Sequence, residues 1–312
     1  MPRPPAAPAP PLPRLFRCVL PWLRREWPMW GRLYALAGGN DARRFADMGV
    51  RNVVGKLHGY VMPLDLANWS ERLSWSLARY HDLPLQLALQ HVLRPGDCFV
   101  DIGANIGMVT LLARHLVGPS GHVMACEPNP RLRARLEDLV ALNRLAGVEL
   151  VAKALGEAPG TAELREFAGH TGWGSLAARG PDGAATTAVW QVPVVRGDDL
   201  LAAAPAGPMV VKIDVEGFEV PVLRGLQTTL AKRAPAVLVE VADAHQRRAG
   251  HSAAALRGEL ERLGYRGYEL RTQRRLGFAR RLQLVPLAAE VHGEIDALFL
   301  PQDGPLAARG LG

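Results

Sequence analysis

From residue 83 onward the chain alternates between two hydrophobic periodicities. Leu83, Leu87, Leu89, Val92 and Leu93 recur at helical spacing and end at Pro95-Gly96, after which residues 98–102 form a short apolar run bounded by turn residues. A run of that kind predicts a strand buried on both faces, as in a parallel sheet. Val109, Leu112 and Leu116 mark a helix that stops near Gly118-Pro119, and residues 122–126 a second strand. Leu132, Leu136, Leu139 and Val140 mark another helix, followed by a third strand at 148–151. Residues 160–195 break the rhythm with two strand-like pieces, 162–167 and 188–195, in a Gly, Thr and Ala-rich setting, and predict an edge hairpin or a substrate-side insertion. The alternation returns with a helix begun by Asp198, a strand at 209–213, a helix around 220–230, a strand at 236–241, a helix at 253–263, and strands at 265–270 and 297–300. Repeated β-α-β units predict an α/β, Rossmann-like domain with a mostly parallel sheet covered by helices on both faces.

The first eighty residues follow another pattern. Residues 2–13 contain seven prolines and predict an extended, disordered tail. In residues 14–36, Leu15, Val19, Trp22 and Trp30 are set among Arg14, Arg17, Arg24, Arg25 and Arg32. That pattern suits a basic helix in peripheral contact with an anionic membrane, or a helix packed on the main domain with its arginines in water. Pro21 and Pro28 favour the second by breaking a continuous face. The expected organisation is a tail at 1–13, an N-terminal helical cap or substrate-side region at 14–82, the main domain at 83–301 and a C-terminal tail at 302–312.

Composition narrows the class. With 48% apolar residues the 312-residue chain can fill a sizeable core, which excludes disorder through most of its length. Cys18, Cys98 and Cys126 lie far apart, which argues against a disulfide framework or a zinc site and fits a reducing, cytoplasmic setting. No apolar run approaches the ~20 residues of a membrane span, and prolines crowd the place of a secretory signal. The net charge of +7 comes from 33 Arg and 4 Lys spread along the whole chain, which reads as a compositional bias and not as a nucleic-acid surface.

The chemistry concentrates at strand ends. Val100-Asp101-Ile102-Gly103-Ala104-Asn105-Ile106-Gly107 joins the first strand to the next helix, where glycines let a cofactor approach the backbone and the helix N-terminus offers free N–H groups. Glu127 ends the second strand, where a carboxylate can accept both ribose hydroxyls. The spacing Gly103-x-x-x-Gly107, with Asp101 before it, suits a methionine ammonium and would repel a pyrophosphate. It therefore predicts S-adenosylmethionine in preference to NAD, with Asp101, Gly103, Asn105 and Gly107 at the methionine end, Glu127 on the ribose, and Pro128 and Asn129 on the adenine side. Downstream, Lys212-Ile213-Asp214-Val215-Glu216-Gly217 puts Asp214 and Glu216 at the end of the fourth strand, Glu219 in the first turn of the next helix as a cap, and Glu240 at the end of the fifth strand. Asp214, Glu216 and Glu240 are the candidate catalytic carboxylates, with Asp214 and Glu240 the candidate ligands of a divalent ion, Mg²⁺.

These motifs, with Glu127-Pro128-Asn129-Pro130, Asn143, Val222-Leu223-Arg224-Gly225 and Glu240-Val241, resemble the FkbM-type methyltransferases over residues 59–301. The resemblance implies a class I, seven-stranded sheet of order 3-2-1-4-5-7-6 with the last strand antiparallel. It also implies methyl transfer to oxygen on a sugar, glycan or natural-product acceptor. The family's Gly-x-Tyr-Glu pattern ahead of the first strand is replaced here by Arg79-Tyr80-His81-Asp82.

Three rival classes would require other residues. A methyltransferase acting on RNA or another nucleic acid would carry two prolines and an aromatic after the fourth strand, where this chain has Asp214-Val215-Glu216-Gly217. A non-catalytic cofactor-binding domain would have no use for the strand-end carboxylates. A nicotinamide oxidoreductase would carry the dinucleotide glycine spacing. His81, His170 and His245 are candidate bases, Trp173 and Trp190 candidate stacking rings, and Arg271, Arg274, Arg275, Arg280 and Arg281 either an anion site or a solvated loop or hairpin.

Overall fold

A computed structural model describes residues 10–167, 174–176, 185–274, 280–291 and 293–303. The described residues divide into two compact units, the first holding residues 10–81 and the second the described residues from 82 onward.

In the first unit, helix α1 (Arg14–Arg25) is followed by α2 (Trp30–Leu36), an antiparallel hairpin β1 (Val50–Val54) and β2 (Val61–Asp65), and α3 (Trp69–Leu77). The hairpin stands beside the helices expected in this region, and its short, half-exposed strands carry too little alternation to be read from sequence. Pro21 sits inside α1 without ending it, whereas Pro28 lies between the two helices. Phe16 packs edge-on against Phe45 and Tyr34, with centroids 5.0 and 5.9 Å apart. Arg72 is buried in the same unit because its guanidinium lies over the Phe45 ring at 4.9 Å and donates to the carbonyls of Gly39 at 2.8 Å and Ala67 at 3.0 Å.

The second unit begins with α4 (Leu83–Val92), whose N-terminus is capped by Asp82 accepting from the Leu85 N–H at 2.9 Å. The elements that follow are β3 (Cys98–Ile102), α5 (Met108–Val117), β4 (His122–Cys126), α6 (Pro130–Leu142), β5 (Val148–Val151) and β6 (Ala154–Gly156). Next come β7 (Gly160–Phe167), β8 (Gly174–Ser175), β9 (Thr186–Arg196), α7 (Gly197–Leu201), β10 (Met209–Ile213), α8 (Glu219–Gly225) and α9 (Gln227–Arg233). The unit closes with β11 (Ala236–Ala242), α10 (Asp243–Arg248), α11 (Ala253–Glu261), β12 (Tyr265–Arg274), β13 (Arg280–Pro286) and β14 (Glu294–Pro301).

The main sheet has the order β13-β12-β14-β11-β10-β3-β4-β5. From β5 to β11 the strands run parallel, and β14 enters antiparallel between β11 and β12. Seven strands follow the expected order, and β13 adds an eighth, so the sheet is mixed. Every residue of β3 and β10 is buried, which explains their unbroken apolar runs. Val100, Val211, Val237 and Val239 share a core cluster with Val222, Leu223, Leu256 and Leu260. The chain winds outward from β3 in both directions, so β3 and β10 flank the switch point at which ligands settle in open α/β sheets.

The segment expected as an edge hairpin or an insertion forms its own sheet, β6-β9-β7-β8, with β7 and β9 antiparallel and β6 parallel to β9. Trp190 packs on its small core of Ala154, Leu164 and Val192, so packing and not stacking on a ligand accounts for that ring. The arginines of the proposed anion site lie on β12 and β13, where Arg271 pairs with Glu269 at 2.7 Å. His170, Trp173 and Arg275 lie outside the described residues.

Candidate active site

The turn after β3 is a left-handed bend, with φ of +78° at Gly103, +52° at Asn105 and +86° at Gly107. Asparagine tolerates this region and glycine is free in it. A Cβ at Gly103 would land on the carbonyl oxygen of Asp214, and one at Gly107 would meet Leu136 and Leu139 of α6. Both glycines therefore serve close packing of the chain on itself.

Asp101, at 0% exposure, accepts from Thr110 Oγ1 at 2.7 Å through Oδ2, while its Oδ1 faces Lys212 Nζ at 3.4 Å and accepts no hydrogen bond. Burial pushes its carboxyl above the ordinary range against the pull of Lys212 and Thr110. The Asn105 side-chain oxygen is likewise buried without a partner. The unpartnered Asn105 oxygen, close to the Asp101–Lys212 pair, fits a ligand with hydrogen-bond donors, such as an ammonium or a ribose hydroxyl.

Glu127 is 6% exposed and accepts the backbone N–H groups of Asn105 at 2.8 Å and Asn129 at 2.9 Å, one on each oxygen. Burial pushes it up to about 7, and the two N–H groups and Lys212 hold it from going further. Each oxygen keeps a lone pair for a donor such as a ribose hydroxyl. Pro128 leads into α6, where Asn129 caps the helix by accepting from Arg131 and Leu132, and its amide donates to Glu166 at 2.5 Å. Its side chain is thus committed to the fold.

Lys212, on β10 and 4% exposed, joins this turn to the acidic strand end. Its Nζ donates to Gly103 O at 2.8 Å and lies 3.2 Å from Asp214 and 3.4 Å from Asp101. Burial alone would lower its pKa, but Asp214 and Asp101 together hold it above the ordinary value. Lys212 stood inside a motif without an assigned role. Its function shows only when Gly103, over one hundred positions away, comes within reach.

Beyond Asp214 the chain turns through Glu216 at φ +54° and Gly217 at φ +103°. A Cβ on Gly217 would strike the His245 backbone, so this glycine lets α10 close on the turn. Glu219 is buried and accepts from the N–H groups of Val215 at 3.0 Å and Gly217 at 3.2 Å and from the Gln246 amide, the expected capping role. His245 Nδ1 lies 3.1 Å from Glu240 and 3.3 Å from Glu216. Glu216, Glu240 and His245 offer one ligand atom each within 4.8 Å of one another, the one such group found among the described residues. Glu240 of the expected pair stands in this group with Glu216 and His245, while Asp214, at the same strand end, pairs with Lys212. Register explains the meeting, since Ile213 pairs with Val239 and puts the ends of β10 and β11 side by side.

Burial, then repulsion from neighbouring carboxylates, pushes Glu216 and Glu240 well above the usual range, while burial and Arg248 lower His245. A neutral imidazole is the form that coordinates a metal. One further pair escaped the sequence. Asp296 on β14 stands opposite Glu240, and burial together with a hydrogen bond to Asp82 raises it well above normal. His81 lies in the first unit against Ser74, Trp69 and Tyr80.

A mostly parallel sheet with a glycine turn after β3, a buried carboxylate at the end of β4 and an acidic end to β10 has the layout of a class I methyltransferase. The chain belongs to the FkbM methyltransferase family, whose domain model, "Methyltransferase FkbM domain", matches residues 101–266, more than half of its length. That span holds every residue above from Asp101 to His245. No curated protein sequence matches the chain. Among solved structures, the methyltransferase FkbM from Methylobacillus flagellatus is similar at 14% identity and a TM-score of 0.40, covering 74% of this chain and 54% of its own, so this chain spans about half of that protein. A precorrin-6y C5,15-methyltransferase from Geobacter metallireducens is similar at 16% identity, TM-score 0.37, covering 69% and 83%. A fibrillarin from Aeropyrum pernix, solved with S-adenosyl-L-methionine, is similar at 11% identity, TM-score 0.37, covering 69% and 73%.

Proposed function

We propose that the protein is an S-adenosylmethionine-dependent O-methyltransferase acting on a hydroxyl of a sugar, glycan or natural-product acceptor. The observation that carries this is Lys212, which ties the cofactor-type turn at Gly103 to the acidic strand end at Asp214. Bound cofactor supplies an electrophilic methyl group on a sulfonium that leaves as a neutral thioether. Asp101 and Asn105 hold the methionine end, with Lys212 setting the charge beneath it, and Glu127 holds the ribose.

An alcohol is a weak nucleophile while protonated, so the acceptor side needs a group that takes or weakens its hold on that proton. Glu240 and Glu216 orient the His245 imidazole through Nδ1, and the cluster either accepts the hydroxyl proton or holds a divalent ion that lowers the hydroxyl's pKa. Two carboxylates and one imidazole make a mixed donor set. Mg²⁺ favours oxygen ligands alone, so this set fits Mn²⁺, Fe²⁺ or Zn²⁺ better than the Mg²⁺ expected from Asp214 and Glu240.

Two measurements test the proposal. Calorimetry should give binding of S-adenosylmethionine and not of NAD, and NAD binding alone would overturn it. A methyl-transfer assay over sugar, polyketide and RNA acceptors, before and after chelation, should give product only with hydroxyl acceptors of the first two kinds. Asp214→Asn should bind cofactor yet lose turnover. Product on RNA alone would replace the acceptor class, and full activity after chelation would leave His245 with Glu240 as the base.

A further inference from the structure

Arginine is spread along the chain, but net charge is not. Residues 1–81 contain 12 basic and 5 acidic residues, which accounts for the full +7, while residues 82–312 contain 25 of each sign. The arginine excess is therefore balanced by acidic residues everywhere but in the first 81 positions. The first 81 residues also lie outside the span matched to the methyltransferase domain.

Exposed apolar side chains gather in the same place. Ten large ones are exposed among the described residues, and five of these fall within residues 15–36: Leu15 at 54%, Trp22 at 38%, Trp27 at 36%, Met29 at 58% and Leu36 at 76%. Helix α1 buries Phe16 and Leu23, while Leu15, Cys18 and Trp22, at i, i+3 and i+7, form an exposed stripe beside exposed Arg14 and Arg25. The Trp22 indole N–H donates to Pro28 O at 3.1 Å, so the ring can leave water without stranding its one donor. Arg25 lies over the Trp27 ring at 5.3 Å.

We infer that α1, α2 and the turn between them form an interfacial membrane anchor that lies on a bilayer of anionic headgroups. The apolar side chains enter the headgroup–acyl boundary, and Arg14, Arg17, Arg25 and Arg32 meet lipid phosphates. No helix among the described residues is long and apolar enough to cross a membrane, so the segment lies on the surface and does not span it. A second copy of the chain would bring the same arginines against themselves. Leu15, Met29 and Leu36 give a nucleic acid nothing to stack on.

The test is flotation of the full chain with phosphatidylcholine vesicles made with and without phosphatidylglycerol. Binding is expected only with phosphatidylglycerol, weakening as salt rises. The exposed-site double variant Leu15→Glu/Leu36→Glu should keep the wild-type melting temperature and S-adenosylmethionine affinity yet lose vesicle binding by at least about tenfold. Absence of binding to anionic vesicles overturns the inference, as does a double variant that floats like wild type. Wild-type affinity for a single-stranded RNA oligonucleotide exceeding that for anionic vesicles, and unchanged in the double variant, would assign the surface to nucleic acid.

Discussion

The turn after β3 and the cluster at the ends of β10 and β11 are neighbours joined by Lys212, yet they are built on opposite principles. The turn is a backbone device in which three left-handed residues, two close-packed glycines and the N–H groups of Asn105 and Asn129 set its shape. The cluster is a side-chain device in which Glu216, Glu240 and His245 come from three separate elements and meet at their tips. A backbone device is rigid and fails as a whole, because no substitution inside it leaves the chain path unchanged. A side-chain device can lose one member while the frame survives. On the proposed function, binding would rest on the first device and turnover on the second, and each prediction below strains that separation at one point.

The largest effect is expected for Gly103→Ala. Its Cβ would occupy the Asp214 carbonyl and its φ of +78° would be strained, so stability should fall by at least about 4 kcal/mol in denaturant unfolding. If Gly103 mattered only to a bound ligand, stability would stay at the wild-type value. Next comes Lys212→Met, which strands the Asp101 carboxylate in the interior and should destabilise by about 3–5 kcal/mol. A variant that unfolds at the wild-type denaturant midpoint would show that Lys212 does not tie the two devices together.

The cluster should behave otherwise. His245→Ala should slow turnover by about 10²-fold or more while cofactor affinity in calorimetry stays within about twofold. An equal loss in both would mean that the devices are one. Glu127→Gln should do the reverse, weakening cofactor binding by about 1.5–3 kcal/mol with the fold intact.

The smallest effect concerns pH and sharpens the role of Glu127. Its folded pKa of about 7 lies above the ~4.3 of an unfolded glutamate, so the folded state holds the proton more tightly. Its contribution to stability is therefore complete below the unfolded value, declines as pH rises through about 7, and is level above that. Binding has the opposite slope, because hydroxyl donors need the carboxylate ionised. Affinity for S-adenosylmethionine should rise up to about tenfold from pH 6 to pH 8 in wild type and not in Glu127→Gln. Asp101 and Lys212 face the same carboxyl and leave the sign unchanged. A flat wild-type profile would remove Glu127 from the ribose.

Of the five parallel strands, the half-exposed β5 was legible from its place after the preceding helix. The other four, β3, β4, β10 and β11, were legible because each is an almost wholly buried apolar run whose meaning does not depend on a partner. The glycine turn and Glu127 could be read for the same reason. The hairpin β1–β2, the three-residue β6 and the exposed β13 are too short or too polar to stand out. What each site residue touches was not legible. Thr110 on Asp101, His245 on Glu240 and Asp82 on Asp296 are contacts made across elements, and neither periodicity nor spacing encodes them.

The sequence by itself determined the α/β class, the strand order through the family motif, and where along the chain binding chemistry sits, because apolar period and turn residues act locally. Only the tertiary structure decided that Gly103 and Gly107 are packing glycines, that Lys212 bridges the turn and the strand end, and that His245 meets Glu240 and Glu216. Those outcomes depend on register and on how closely two backbones approach, which are properties of pairs of elements far apart in the chain.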